Sequence, residues 1–226
     1  ILAAVGVFGW QIRHLYRLLR LGKPERRLHD WRAQTRDFVV YVLGQTRMFK
    51  DPGPGLMHAL VFWGFIVITL GTIELLGRGF LPSFSVPLVS DAPAFLLLLD
   101  VFQLLVTGAV LYALARRLIT KPRRLLLTAD ALIILGLILG LMVTDFLSDG
   151  LQLALFPSAR AAWMPIGAAI ADAVAGLGPW PTRVLYAAFW WAHVIILLGF
   201  LAYIPRSKHL HIITAPINVF LRAGTP

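Results

Sequence analysis

Four stretches of this chain, Leu56–Leu76, Ala92–Leu114, Leu125–Leu147 and Val184–Ile204, are almost unbroken runs of apolar residues. Each has the ~20 residues that an α-helix needs to cross the roughly 30 Å hydrocarbon core of a bilayer. In that solvent the backbone polar groups must pair within the segment, so runs of this kind fold as helices. A fifth apolar run, Ile1–Ile12, is short. The chain begins at Ile1 and not at a methionine, so this run reads as the tail of a first span, residues 1–21. Its start would lie upstream, and its helix would continue outward through Arg13, Arg17 and Arg20. The expectation is an all-α membrane protein, a five-span transmembrane helix bundle forming one domain over residues 1–226.

Composition agrees. Hydrophobic residues make up 58% of the chain and charged residues 14%, against roughly 45–50% and about 25% in soluble domains. A soluble enzyme is excluded, and so is a disordered chain, which has few large apolar groups. The 21 Lys and Arg outnumber the 11 Asp and Glu, and their placement matters more than their number. Ten lie between Arg13 and Lys50, five between the third and fourth spans (Arg116, Arg117, Lys121, Arg123, Arg124), and three after the last (Arg206, Lys208, Arg222). Only Arg78, Arg160 and Arg183 fall on the other side. Positive residues mark cytoplasmic loops, which puts the N-terminus outside and the C-terminus inside. The run RRLITKPRR is short, sits between spans and lacks interleaved aromatics, so no nucleic-acid partner is expected. Asp37–Lys50 mixes apolar residues with flanking charge, as a segment lying at the cytoplasmic interface does. Leu151–Pro181 carries WMPIGAAIADAVAGLG, too short for a span and suited to an interfacial or re-entrant helix. No internal repeat is visible.

The chain contains no cysteine, so it holds neither disulfides nor iron–sulfur clusters, and histidine is left as its soft metal ligand. Of its six histidines, His14 and His29 sit among arginines and read as solvated surface residues. His58 lies at the cytoplasmic start of a span, in GLMHALVFWGF. His193 lies inside the last span, in FWWAHVIILLGF, where an ionisable group is expensive and points to function. Its structural alternative is an imidazole bonded to a neighbouring helix, through Asp100 or a threonine. His193 and His211 are eighteen residues apart, which on a continuous helix is five turns, one face and about 27 Å of rise; Pro205 makes that facing approximate. Histidines projecting from facing helices are a common way to hold haem in a bundle, and His58 and His211 lie at the same membrane depth.

The C-terminal PRSKHLHIITAPINVFLR, the preceding AHVIILLGF and the run ADALIILGLILGL resemble the gamma subunit of respiratory nitrate reductase. They resemble still more the related membrane cytochrome b of heterodisulfide-reductase-type oxidoreductases, in which this module can precede a cysteine-rich iron–sulfur domain. The likeness extends over essentially the whole chain. It implies a b-type cytochrome in the cytoplasmic (inner) membrane of a prokaryote, moving electrons between quinone (menaquinone or ubiquinone) and a partner. That partner would be a cytoplasmic iron–sulfur subunit, a downstream domain of the same protein, or an electron-transfer flavoprotein. Carried over residue by residue, it implies that His58 and His211 ligate the haem nearer the cytoplasm and that His193 is one ligand of a haem nearer the outer face. The partner of His193 in that pattern would stand ten residues after His58, where this chain has Ile68, which cannot bind iron. The resemblance therefore implies one haem b, or two if the second is five-coordinate or completed by another group. His209 either replaces His211 or bonds a haem propionate.

Other groups keep two readings each. Arg206 and Lys208, with Arg36, Arg47 and Lys50, either pair with propionates or face lipid headgroups. Trp63, Trp190 and Trp191 pack on porphyrin or between helices and lipid. Gly64, Gly71 and Gly199 permit close approach of a helix or of porphyrin. Glu74 and Asp100 either carry protons or pair with Arg or Thr; Asp130 and Asp145 fall near span ends, as capping residues do. Two other functions are compatible with a bundle of this kind: a haem-free membrane anchor, or a transporter with histidines along a polar path.

Overall fold

The computed structural model describes residues 1–226 except Pro24, Arg26, His29, Pro82, Ser83, Arg124 and 223–226. The readings placed on Arg26, His29 and Arg124 lie outside the described residues. All regular structure among the described residues is helical: α1 (Leu2–Leu19), α2 (Trp31–Asp37), α3 (Pro52–Phe80), α4 (Pro93–Ala115), α5 (Ala129–Leu155), α6 (Pro165–Val174), α7 (Pro179–Tyr203) and α8 (His211–Phe220). Short π- and 3-10 segments extend several of them.

Four helices are long and apolar enough to cross a membrane: α3, α4 continued to Thr120, α5, and α7 continued to Arg206. The first helix is not among them; Arg13, His14 and Arg17 occupy its second half. His14 is exposed, as its arginine neighbours suggest. Proline and glycine punctuate the helices where their backbone limits require. Proline occupies the start of α4 and of α6, where its missing N–H would have no partner anyway. The π-turn after α4 ends on Lys121 in the left-handed region (φ 45°), followed by Pro122. Gly178, at φ 76°, makes the turn into α7, a conformation that a side chain would strain.

Two element boundaries differ from expectation. Helix α5 continues past Leu147 to Leu155, through Ser148, Asp149 and Gly150, residues that read as a loop in isolation. The last span does not run on to His211: α7 gives way to a 3-10 turn at Ile204–Arg206, and Ser207 is extended (φ −104°, ψ 170°) before a second turn and α8. The continuous helix that would have put His193 and His211 on one face is therefore broken, because Pro205 and the extended Ser207 interrupt the bonding ladder. The WMPIGAAIADAVAGLG segment forms α6 with a 3-10 turn to Leu177, a short apolar helix as expected.

The chain divides into two compact units. One comprises 1–56, 128–134 and 198–226; the other comprises 57–127 and 135–197. In the second, α3 and α4 pack closely through glycines. A Cβ on Gly64 would stand 2.1 Å from Val106 Cγ2, and one on Gly71 would stand 3.0 Å from Leu99. Gly79 admits the Trp190 ring in the same way, at 2.1 Å, and the Trp190 indole donates to the Leu75 carbonyl at 3.1 Å. Its role is interhelical packing. Gly199 has nothing within 4 Å of its added Cβ.

Candidate functional site

The second unit has a polar interior assembled from residues far apart in sequence. Glu74 of α3 is buried and binds two guanidinium groups, Arg78 at 2.5 Å and Arg160 at 2.9 Å. Asp100 of α4 is fully buried, and its two oxygens accept from the Ile166 and Gly167 amides at 2.8 and 3.1 Å. It thereby caps α6, whose first N–H groups have no partner within the helix. Gln103, one turn further along α4, donates from one nitrogen to both Asp145 (2.8 Å) and Asp149 (3.0 Å) of α5. Asp145 is thus an interhelical partner and not a terminal cap, and Asp149 was not singled out in the sequence.

His193 projects from α7 toward α5. Its Nδ1 lies 3.0 Å from the Thr144 hydroxyl, so the partner is a threonine and Asp100 is engaged elsewhere. Thr144 has a single hydroxyl hydrogen, shared between the carbonyls of Gly140 (2.8 Å) and Leu141 (3.0 Å). With that hydrogen on either carbonyl the hydroxyl meets the ring as an acceptor, the arrangement in which the imidazole proton is on Nδ1 and the lone pair on Nε2. That Nε2 is buried and has no hydrogen-bond partner among the described residues. A buried polar atom without a partner is uncommon, and a neutral imidazole fixed through Nδ1 with its Nε2 lone pair unclaimed has the form of an axial metal ligand.

A cavity of about 530 Å³ opens at the end of this unit where α3 and α5 finish and α7 begins. Arg78, Asp149, Gln152, Arg160 and Tyr186 give it polar walls; Leu153, Phe156 and Met164 give it apolar ones.

In the first unit, Asp130 organises the turn after α7. It accepts from the Tyr203 hydroxyl at 2.6 Å and from the Lys208 amide at 3.2 Å, while the Lys208 ammonium reaches Thr128 at 3.4 Å. Ser207 caps the second 3-10 turn by accepting from the His209 amide. This places His211 so that its Nδ1 bonds the Lys208 carbonyl at 2.8 Å. A carbonyl only accepts, so the proton again sits on Nδ1 and the lone pair on Nε2. His209 packs between Phe200 (5.3 Å) and His211 (5.4 Å), measured between ring centroids. Arg206, Lys208 and His211 are exposed; His58, which belongs to the second unit, is half-buried there at the start of α3. Arg47 stacks on Tyr41 at 4.2 Å, and Arg36 lies 3.6 Å from Asp37. Arg222 also pairs with Asp37, a contact the sequence did not suggest. Among the described residues no three His, Asp or Glu side chains converge as a metal cage; an axial haem ligand requires no such cluster.

Over 217 residues, 96% of its length, the chain is 33% identical to the "Probable iron-sulfur-binding oxidoreductase FadF" of Bacillus subtilis (strain 168). It is also 29% identical over 229 aligned residues, 92% of its length, to the "EtfAB:quinone oxidoreductase" of Syntrophomonas wolfei subsp. wolfei (strain DSM 2245B / Goettingen). The chain spans 31% and 29% of these two relatives, under a third of each. No family model matches it. No solved structure matches it either.

Proposed function

We propose that this chain is the b-type cytochrome module of a membrane oxidoreductase, carrying electrons between the quinone pool and an iron–sulfur or flavoprotein partner on the cytoplasmic side. The observation that carries the reading is His193: an imidazole buried in an apolar span, held through Nδ1 by Thr144, with Nε2 unpartnered. The names of the two relatives support redox work linked to iron–sulfur centres, an electron-transfer flavoprotein and quinone. The absence of cysteine assigns any such cluster to a polypeptide segment other than this one.

In this reading His58 and His211 ligate one haem b, with His209, Arg206 and Lys208 around its propionates, and His193 ligates a second. Haem supplies reversible one-electron chemistry. The protein's own residues do the rest: Thr144 and the Lys208 carbonyl hold two imidazoles in the neutral tautomer that binds iron. The spans around them exclude water, and the cations compensate propionate charge. The proposed topology has five spans, with the N-terminus outside, in the cytoplasmic membrane of a prokaryote.

A reduced-minus-oxidised spectrum of the purified protein tests this directly. The expected result is the α-band of a b haem, with pyridine haemochrome giving one or two haems per chain. No α-band would sink the reading in favour of a haem-free anchor.

A further inference from the structure

We propose that the cavity between the ends of α3, α5 and α7 binds the ring of a quinone, and that Asp149 exchanges the proton of the ring oxygen. The inference rests on the redox reading above and gives it a substrate site.

The argument begins with charge. Arg78 and Arg160 both face the cavity, which by itself would favour an anion. Yet both already bind the buried Glu74, and Asp149 stands in the same wall. An anion entering the cavity would therefore compete with the buried Glu74 for both guanidinium groups, and a cation would meet them as like charges. What the lining offers is hydrogen-bond donors, from Arg78, Arg160, Gln152 and Tyr186, beside the apolar Leu153 and Phe156. A neutral ring bearing carbonyl oxygens and an apolar tail complements both halves. The volume of about 530 Å³ is within the ~300–1,000 Å³ range of small-molecule sites.

Asp149 is the acid placed to act. It is half-buried, and Gln103 engages only its Oδ2. The same amide holds Asp145 one turn deeper, so two carboxylates share one neutral donor in an apolar span, where ionising both is costly. One proton is thereby retained at the cavity wall. Quinone reduction takes up two electrons and two protons. A haem b held as proposed above would supply the electrons one at a time. As the O–H bond forms on the ring oxygen facing Asp149, the Asp149 O–H breaks and its carboxylate recovers a proton from solvent at the mouth, where Phe156 and Ser158 are exposed; the second ring oxygen takes its proton from the same solvent.

The test uses the full chain in detergent, photolabelled with an azidoquinone under competition by decylubiquinone. Label is expected on peptides covering 149–160. Ser158→Phe, at an exposed position, should fill the cavity and weaken binding at least tenfold, with the haem spectrum unchanged. Asp149→Asn should keep the dissociation constant within about twofold and slow quinone-linked haem oxidation about 100-fold, the usual scale for a lost proton-transfer group. Label mapping elsewhere, or unchanged affinity in Ser158→Phe, overturns the site. Displacement of the probe by inorganic phosphate would mark an anion site and overturn it equally. Quinone binding without an α-band would leave the site standing and sink the redox reading; an α-band with no such binding would do the reverse.

Discussion

The Thr144 hydroxyl approaches His193 Nδ1 at 3.0 Å and lies within hydrogen-bond reach of the Gly140 and Leu141 carbonyls of its own helix. A single methyl-for-hydroxyl exchange removes this constraint and little else. Thr144→Val should cost about 1 kcal/mol in stability and lower haem occupancy at His193 roughly tenfold or more, as loss of a ligand's outer hydrogen bond does. Haemochrome stoichiometry and a redox titration would detect this; an unchanged second haem would remove Thr144 from the role assigned here.

Glu74 is shared by two arginines, so its neutralisation should be felt more than the loss of either cation. Glu74→Gln is expected to destabilise the protein by about 3 kcal/mol, the lower end of the scale for breaking a buried ion pair. Arg160→Gln should cost about 1 kcal/mol, because Arg78 remains on Glu74. Thermal melts in detergent compare the two; equal shifts would argue against a shared pair.

The approach of α3 to α4 depends on Gly64 lacking a Cβ. Gly64→Ala collides with Val106 and should cost about 1–3 kcal/mol, whereas Gly108→Ala, with nothing within 4 Å, should be nearly neutral. Combining Gly64→Ala with Val106→Ala should recover part of that cost. Additive effects in this cycle would mean that the two residues do not touch.

His209 and His211 are separable by mutation. His211→Ala and His58→Ala are each expected to abolish the same haem, whereas His209→Ala should leave the α-band and shift the midpoint potential. Loss of the band in His209→Ala with retention in His211→Ala would exchange their roles.

A cysteine-free chain is well suited to labelling from either side of a membrane. Arg123→Cys should react with an impermeant maleimide only in inverted vesicles, and Ser85→Cys only in right-side-out ones. Labelling of both from one side would reverse or dismantle the proposed topology.

Much of the fold was legible because a bilayer leaves the backbone few choices. The four long helices follow from apolar run length alone. Helix ends were harder. Asp145 and Asp149 fall at the close of the apolar run, and the Gln103 amide, over forty residues earlier, is what holds both inside a helix. Asp100 was recognised as a buried acid, but its partners are amides of α6 on a segment that reads as interfacial. Glu74 was legible as an acid seeking arginine, and it found two. The break at Ser207 was half visible through Pro205; the extended Ser207 depends on Asp130 holding Tyr203 and the Lys208 amide, which no local pattern encodes. Gly64 and Gly71 were read correctly, since small residues in such helices commonly mark close contacts.

Helix α5 carries both Thr144 and Asp149 on one uninterrupted rod, about 7.5 Å apart along its axis. A small slide or rotation of that rod would move the support of the proposed haem ligand and the wall of the proposed quinone cavity together. Timing between the two events would then need no signal passed from one place to the other, because a single mechanical part sets both clearances.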